Sequence, residues 1–352
     1  MLGFFIPTLI MSDRRYFLKF LGLSLLATQL TATNKPSRSF ASAVSPQPIL
    51  KPPRLKIGDT VALVSPASMI FKHELKYVNL VLGQQGFKVK VGTHTLDRYG
   101  YLAGKDIDRA ADINAMFADD EVKALVTTTG GWGSSRILPL LDYDLIRKNP
   151  KIIIGYSDIT ALLLAIYARS GLVTFHGPFG TSTWNKFSVG YFKGILLEGK
   201  AMTLQPPPNI VKTITSGKAR GRLVGGNLSV LTAMVGSNFL PDWQGKILFV
   251  EEIREDIYRV DRMLTHLSLA GILQQLNGFV FARCTRCLDE EDNFPTLTLW
   301  QVLLDIIRPL GIPAWYGTAI GHIRDKFTVP LGVEVEIDAS RGTIQMLETA
   351  VV

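Results

Sequence analysis

The sequence has few of the residues on which many protein chemistries depend. Its 352 residues include two cysteines and five histidines, and charged residues make up 19%. Cys284 and Cys287 are too few for a disulfide scaffold, and a CxxC pair alone lacks the second ligand pair of a zinc site. We interpret them as strand-end residues, joined as a disulfide if the compartment is oxidising. A redox motif is the alternative.

Nucleotide and nucleic-acid signatures are also missing. Neither GxGxxG nor GxxxxGK[ST] occurs, which argues against a dinucleotide or nucleoside-triphosphate site. The formal net charge is +8, but five basic residues and one acid lie within residues 1–43, so the remainder carries +4. Without runs of Lys or Arg, this excess gives no reason to expect nucleic acid and suits an anionic substrate or cell-wall surface.

The N-terminus resembles a targeting segment. Arg14 and Arg15 precede an apolar run, Phe20 to Leu30, and a small-residue cleavage pattern follows at residues 41–43. The run is too short to cross a bilayer core of about 30 Å. We predict a cleaved twin-arginine signal, export to the periplasm or another extracytoplasmic site, and no stable membrane insertion afterwards. Whether translation starts at the first residue or at Met11 stays open.

Strands and helices alternate in the first half of the remaining chain, with strands predicted at 60–64 and 88–91 and helices at 106–117 and from about Ser135. This alternation predicts a parallel sheet. The second half has short strands and one long helical segment at 256–270, which indicates a smaller mixed α/β domain with a curved sheet or barrel. The predicted divisions are a signal peptide (1–43), a linker (44–54), an N-terminal domain (55–190), an interdomain linker (191–217) and a C-terminal domain (218–352).

A serine lies at a sharp strand-to-helix turn. Ser157 follows the apolar strand at 151–155 and precedes a helix, as a nucleophile elbow requires, and the backbone N–H of Asp158 can point toward an oxyanion. Ile159 stands where GxSxG has its second glycine, and an ordinary helix N-cap is the alternative. The glycine turn at 130–133 follows the preceding strand and can supply the second oxyanion donor; a phosphate cradle is its alternative.

A serine nucleophile needs a base and an orienting carboxylate. Among the five histidines, His322 lies in an apolar, glycine-flanked loop and is the favoured base; His176, at a strand end, is the main rival. Glu251 and Glu252 end a buried strand, and alternation places one inward and the other outward. A surface turn is the alternative for this pair.

Five ordered motifs together resemble the serine L,D-carboxypeptidase family, to which the microcin C immunity peptidases also belong. The similarity extends from about Leu55 to Asp338. The motifs lie at residues 101–104, 130–136, 155–160, 225–229 and 321–322.

The resemblance implies a Ser-Glu-His triad divided between a Rossmann-like, glutamine-amidotransferase-like N-terminal domain and the C-terminal domain. It assigns Ser157 as nucleophile, Glu251 as acid and His322 as base, with the backbone amides of Gly131 and Asp158 as oxyanion donors. It also implies a homodimer that needs no metal or cofactor and releases the terminal D-alanine from murein tetrapeptides.

The chain departs from the family pattern at the pocket wall. Trp132 replaces the usual tyrosine, Thr129 a frequent arginine, and Val250 a leucine. These differences bear on the preferred substrate more than on whether the triad is active. Trp132 and Arg136 are the candidate substrate-binding residues; Arg136 would anchor the substrate carboxylate, with a surface cation as the alternative. The alternative functions are an amidase acting on a peptide–nucleotide antibiotic or other peptide conjugate, and a non-catalytic murein-peptide binding protein; a cofactor-carrying oxidoreductase is more distant.

Overall fold

The computed structural model describes residues 47–287 and 295–352. The predicted signal peptide, its cleavage site and residues 44–46 of the predicted linker lie outside the described residues. The strands are β1 (Thr60–Val64), β2 (Lys88–Val91), β3 (Val122–Thr127), β4 (Ile152–Gly155), β5 (Thr174–His176), β6 (Thr203–Leu204), β7 (Lys212–Thr215), β8 (Lys218–Asn227), β9 (Ile247–Ile253), β10 (Gly278–Thr285), β11 (Ala314–Tyr316), β12 (Val329–Leu331), β13 (Glu334–Asp338) and β14 (Thr343–Met346). The helices are α1 (Lys72–Gln84), α2 (Asp106–Ala118), α3 (Ser134–Ile137), α4 (Tyr143–Lys148), α5 (Thr160–Ser170), α6 (Lys186–Leu196), α7 (Leu228–Ala233), α8 (Ile257–Leu269) and α9 (Leu299–Ile306).

The first sheet has six strands in the order β12-β5-β4-β3-β1-β2. All of its pairings are parallel except that of β12, which runs antiparallel to β5. Strand β4 is buried along its whole length, as expected for a parallel strand covered on both faces. The predicted parallel sheet is confirmed. Its edge strand β12 comes from the C-terminal half of the chain.

The second sheet has eight strands in the order β6-β14-β13-β8-β9-β10-β11-β7. Its middle strands β8 to β11 are parallel, and the outer strands pair antiparallel. The prediction of a mixed, curved second sheet is confirmed. Domain boundaries and the homodimer stay predictions.

Helix α5 packs against strands of both sheets, including β4 and β8. Most of its residues are buried, because its sequence TALLLAIYARS is apolar around nearly the whole circumference. The N-terminal end of α5 immediately follows the turn at Ser157, so burial of this helix fixes that turn relative to both sheets.

Two connecting segments are more ordered than predicted. Residues 191–217, predicted as a linker, contain the end of α6 and strands β6 and β7, whose short lengths and neighbouring prolines hid the strand pattern. In the predicted linker 44–54, the backbone of Leu50 bonds to Gly171 and Val173. Conversely, the helix predicted from about Ser135 is only the single turn α3.

The two cysteines form a disulfide between Cys284 and Cys287, with Cα atoms 5.4 Å apart. Cys284 lies near the end of β10, opposite Glu252 of β9. The interpretation as a strand-end pair thus agrees with the structure. No helix within the described residues is long and apolar enough to cross a membrane.

Candidate active site

Ser157 adopts a strained backbone conformation at the carboxyl edge of the first sheet. Its φ is +65°, in the left-handed region, and it begins a 3₁₀ turn that continues into α5. Such a conformation costs about 1 to 3 kcal/mol in a non-glycine residue and is concentrated at functional sites. The structure therefore has the backbone geometry of the predicted nucleophile elbow.

The glycine turn after β3 lies directly against Ser157. A Cβ added at Gly130 would come within 2.8 Å of the Ser157 Cβ and 3.0 Å of its Oγ, so only glycine fits there. Gly131 follows with φ of +106°. The turn that contains one predicted oxyanion donor is therefore next to the predicted nucleophile.

Asp158, the other predicted oxyanion donor, is fixed by the residue that follows the glycine turn. The backbone N–H of Ser134 donates to Asp158 Oδ2 at 2.7 Å, and Ser134 Oγ donates to the Asp158 carbonyl at 2.5 Å. Burial raises the pKa of the Asp158 carboxyl, against the opposing effect of these hydrogen bonds. The two bonds connect the loops that carry Gly131 and Ser157.

Glu251 and His322 form a buried pair. His322 Nδ1 lies 2.7 Å from Glu251 Oε2; the carboxylate is fully buried and the imidazole is 15% exposed. Burial acts to raise the pKa of Glu251, but the hydrogen bond and charge of His322 outweigh it and hold that pKa below its usual value. Gly321, at φ +102°, leaves room for the pair, since a Cβ there would come within 2.4 Å of Glu251 Oε2.

The loop that carries His322 connects the two sheets. It leaves β11 of the second sheet and returns as β12 of the first. Asn185, at the start of α6, donates to the Arg324 carbonyl at 3.0 Å, and the Lys326 N–H donates to Ser188 Oγ at 3.1 Å. These bonds fix the loop so that the His322 ring lies 5.0 Å from that of Tyr156, the residue before Ser157.

The prediction that one of the two glutamates points outward is wrong. Glu252 is 2% exposed because it lies under the N-terminus of α7 and accepts hydrogen bonds from Asn227 Nδ2, Ser229 N and Ile253 N. Asn227 Nδ2 also lies 3.3 Å from Glu251 Oε1. Burial, aided by the charge of Glu251, raises the pKa of Glu252 to about 7.

Glu252 should make the protein less stable as pH rises. Its pKa is about 7 in the folded chain against an ordinary value of 4.5, so unfolding releases a proton between these pH values. The free energy of unfolding should therefore fall by about 2 to 3 kcal/mol from pH 5 to pH 8 on account of this group. Urea denaturation at both pH values should show that Glu252→Gln removes this decline. The exposed control Glu198→Gln should keep it, and parallel pH dependence of Glu252→Gln and parent would contradict the prediction.

His176, the rival base, packs against aromatic rings, with its own ring 6.0 Å from that of Tyr156 and 5.4 Å from that of Phe249. It is fully buried in β5, and neither ring nitrogen has a hydrogen-bond partner among the described residues. Burial lowers its pKa to about 4, against the opposing charge of Glu251. His322 has the carboxylate partner that a general base requires, and His176 does not.

The two predicted substrate-binding residues lie at the surface near the glycine turn. Trp132 is 65% exposed, and its ring packs edge-on against Tyr101 at 6.0 Å. Arg136 forms three hydrogen bonds with the Asp106 carboxylate, at 2.8 to 3.0 Å. These contacts agree with the alternative interpretation of Arg136 as a surface cation.

One cluster in the described ranges has the spacing of a metal site. Ligand atoms of His94, Asp97 and Asp108 lie within 4.8 Å of one another. His94 Nδ1 is hydrogen-bonded to Asp97 Oδ2 at 2.7 Å, so a hydrogen bond already accounts for the contact between these two side chains. The cluster follows β2, three strand positions from β4, and is separate from the Glu251–His322 pair.

Three further residues contact the Glu251–His322 pair or each other and were not predicted as site residues. Asn227 contacts both glutamates, the Tyr156 ring contacts Phe179 and the ammonium of Lys326, and Lys326 is itself buried. Asn227 and Tyr156 stand in recognised motifs, and a lone lysine beside the apolar run at 327–331 was a signal for Lys326. No local pattern indicated the contact between Tyr156 and Lys326.

An elbow serine and a buried Glu–His pair on a two-sheet α/β fold define a serine hydrolase of the acyl-transfer type. The LD-carboxypeptidase N-terminal domain matches residues 61–177 and the LD-carboxypeptidase C-terminal domain matches residues 220–337. The chain belongs to the LD-carboxypeptidase family and is a serine-type carboxypeptidase.

Relatives and solved structures agree with this assignment. The probable murein peptide carboxypeptidase of Bacillus subtilis is 40% identical over 83% of this chain and 93% of the relative. The structure of MccF in complex with glutamyl sulfamoyl guanosine has a TM-score of 0.80 at 28% identity, over 86% of this chain and 100% of the other. The muramoyltetrapeptide carboxypeptidase of Oxalobacter formigenes has a TM-score of 0.73 at 27% identity, over 82% and 97%.

Proposed function

We propose that the protein releases the terminal D-alanine from murein tetrapeptides, with Ser157, His322 and Glu251 as its catalytic triad. The observation that carries this proposal is the buried Glu251–His322 hydrogen bond beside Tyr156, the neighbour of the strained Ser157. The similarity to the murein peptide carboxypeptidase of B. subtilis and to the O. formigenes enzyme supports the substrate class.

The proposed reaction is acyl transfer through a serine ester. His322 takes the proton of Ser157 Oγ as this oxygen attacks the carbonyl that precedes D-alanine, and the oxyanion accepts bonds from the N–H groups of Gly131 and Asp158. His322 then gives the proton to the departing amine. A water molecule, deprotonated by His322, hydrolyses the ester and restores the serine. Glu251 orients the imidazole and stabilises its cation throughout.

The test is incubation of the purified full-length chain with L-Ala-γ-D-Glu-meso-diaminopimelyl-D-Ala, with D-alanine followed by mass spectrometry. A glutamyl-sulfamoyl nucleoside is the comparison substrate, because MccF, the similar structure, binds such a compound. Release of D-alanine with slow or no cleavage of the nucleoside supports the proposal. The reverse preference would replace it with the amidase function. Cleavage of neither substrate, with no labelling by a serine-directed probe, would favour a binding protein.

For the location we propose export through the twin-arginine route to the periplasm or another extracytoplasmic site. The Cys284–Cys287 disulfide supports an oxidising compartment, and the twin arginines precede a short apolar run. Changing Arg14 and Arg15 together to lysine should retain the protein in the cytoplasmic fraction. Unchanged fractionation of this variant would refute the route.

A further inference from the structure

Lys326 is a buried cation beside the triad. The residue is 4% exposed, and its Nζ forms neither a hydrogen bond nor an ion pair with any residue in the ranges 47–287 and 295–352. Its observed contact is with the ring of Tyr156, whose centroid lies 5.0 Å from Nζ. A buried charge without a hydrogen-bonding partner is costly, so an anionic group of a ligand would stabilise an ammonium at this position.

The backbone places this ammonium close to the reacting atoms. Lys326 follows His322 by four residues in the same loop, and its N–H is bound to Ser188 Oγ at 3.1 Å. The ring of Tyr156 stacks on that of Phe179, with centroids 4.2 Å apart, and meets the His322 ring edge-on at 5.0 Å. The ammonium of Lys326 also contacts this ring. The residue whose ring contacts both the cation and the base is therefore the sequence neighbour of Ser157.

The charges around Lys326 leave its ammonium available to a ligand. Burial lowers its pKa to about 8, against the opposing charge of Glu251, so most of the side chain is cationic at neutral pH. The acids whose charges act on Lys326 are Glu251 and Asp325, and the oxygens of Glu251 already contact His322 and Asn227. In contrast with both nitrogens of His176, Nζ is not sealed from solvent.

The competing cation is less suited to this task. Arg136 has a half-exposed side chain that already forms three hydrogen bonds with the Asp106 carboxylate, which Arg109 also contacts. A substrate carboxylate would have to displace Asp106, and exposure to water would screen the attraction. The cation that lacks a partner is therefore the stronger anchor.

We propose that Lys326 binds the free α-carboxylate of the substrate's terminal D-alanine and so restricts the enzyme to C-terminal residues. This role rests on the proposed function, which places that carboxylate two bonds beyond the scissile nitrogen. Loss of a charge-assisted hydrogen bond in a buried site should lower kcat/KM by about 10- to 100-fold. Because the interaction holds the substrate and is not made with the oxyanion, the change should appear mainly in KM.

The experiment compares Lys326→Met with Arg136→Met on two substrates, the tetrapeptide with a free D-alanine carboxylate and the same peptide ending in D-alaninamide. The parent should prefer the free acid. Lys326→Met should lose about 10- to 100-fold on the acid and little on the amide, which removes the preference. Arg136→Met should keep the preference. Thermal unfolding of each variant checks the fold.

Two kinetic results would overturn the role of Lys326. Equal losses on both substrates would mean that Lys326 only balances the charge of Glu251. Collapse of the preference in Arg136→Met would assign the carboxylate to that residue.

A binding measurement separates this role from the proposed function. Calorimetry of the free-acid peptide and its amide on Ser157→Ala, with and without Lys326→Met, needs no turnover. Tighter binding of the acid that depends on Lys326 supports the anchor even if the parent releases no D-alanine. Absence of that difference in binding refutes the anchor whatever the activity.

Discussion

Ser157→Ala should reduce kcat for D-alanine release by about 10⁶-fold, because loss of the nucleophile of a triad removes nearly all of its catalysis at once. The hydroxyl is the group that would form the ester, and alanine offers no replacement. Residual activity about 10³- to 10⁴-fold above the uncatalysed rate would come from the oxyanion donors and substrate binding alone.

The fold should survive this change, so the loss can be assigned to chemistry. Alanine needs less room than serine against Gly130, and the left-handed backbone at φ +65° is strained for either residue. The matched control is Ser340→Ala, in an exposed turn after β13. D-alanine assays and labelling with a serine-directed probe should separate the two variants. Labelling of Ser157→Ala, or activity near that of the parent, would exclude Ser157 as the nucleophile.

Glu251→Gln should lower kcat by about 10⁴-fold while the protein remains folded. In the parent, the carboxylate accepts the Nδ1 proton of His322, which leaves Nε2 free to accept a proton. A glutamine amide of nearly the same shape can donate to Nδ1 instead. That contact would place the proton on Nε2, where the imidazole can no longer act as the base.

The structural cost of this change should be small, because a neutral amide replaces a fully buried charge and its oxygen can still accept from Asn227. Glu336→Gln, on β13 of the second sheet, is the control and should keep full activity. Steady-state kinetics measures the loss, and NMR of the imidazole nitrogens reports the tautomer. A decrease of less than about ten-fold would mean that Glu251 does not orient the base.

Much of the fold was predictable because its signals are local. The strand at 60–64 and the strand at 88–91 have the predicted bounds, and the helix predicted at 106–117 ends one residue later. Apolar runs that alternate with amphipathic helices predict a sheet buried between helices. This prediction needs no information about contacts with distant parts of the sequence. The elbow at Ser157 was also a local pattern, a strand followed at once by a helix.

The missed features all depend on contacts between distant parts of the chain. Alternation along a single strand predicted that one of the two glutamates is exposed, but both are buried, and the N-terminus of α7 covers Glu252. Strand β7 pairs with β11, about a hundred residues later in sequence. The Asp106 partner of Arg136 lies 30 residues before it. Periodicity describes one element at a time and cannot reveal which element lies over it.

By itself, the sequence determined the fold class, the family and the identities of the candidate nucleophile, acid and base, since these follow from residue order and local pattern. Only the tertiary structure decided which histidine meets Glu251: Glu251 and His322 are 71 residues apart and join at 2.7 Å because the loop between β11 and β12 is bound to α6. The same loop buries Lys326 against Tyr156. Burial and hydrogen bonding are properties of the packed molecule. Among the described residues they distinguish Lys326, whose Nζ has no ion pair, from Arg136, which is bonded to Asp106.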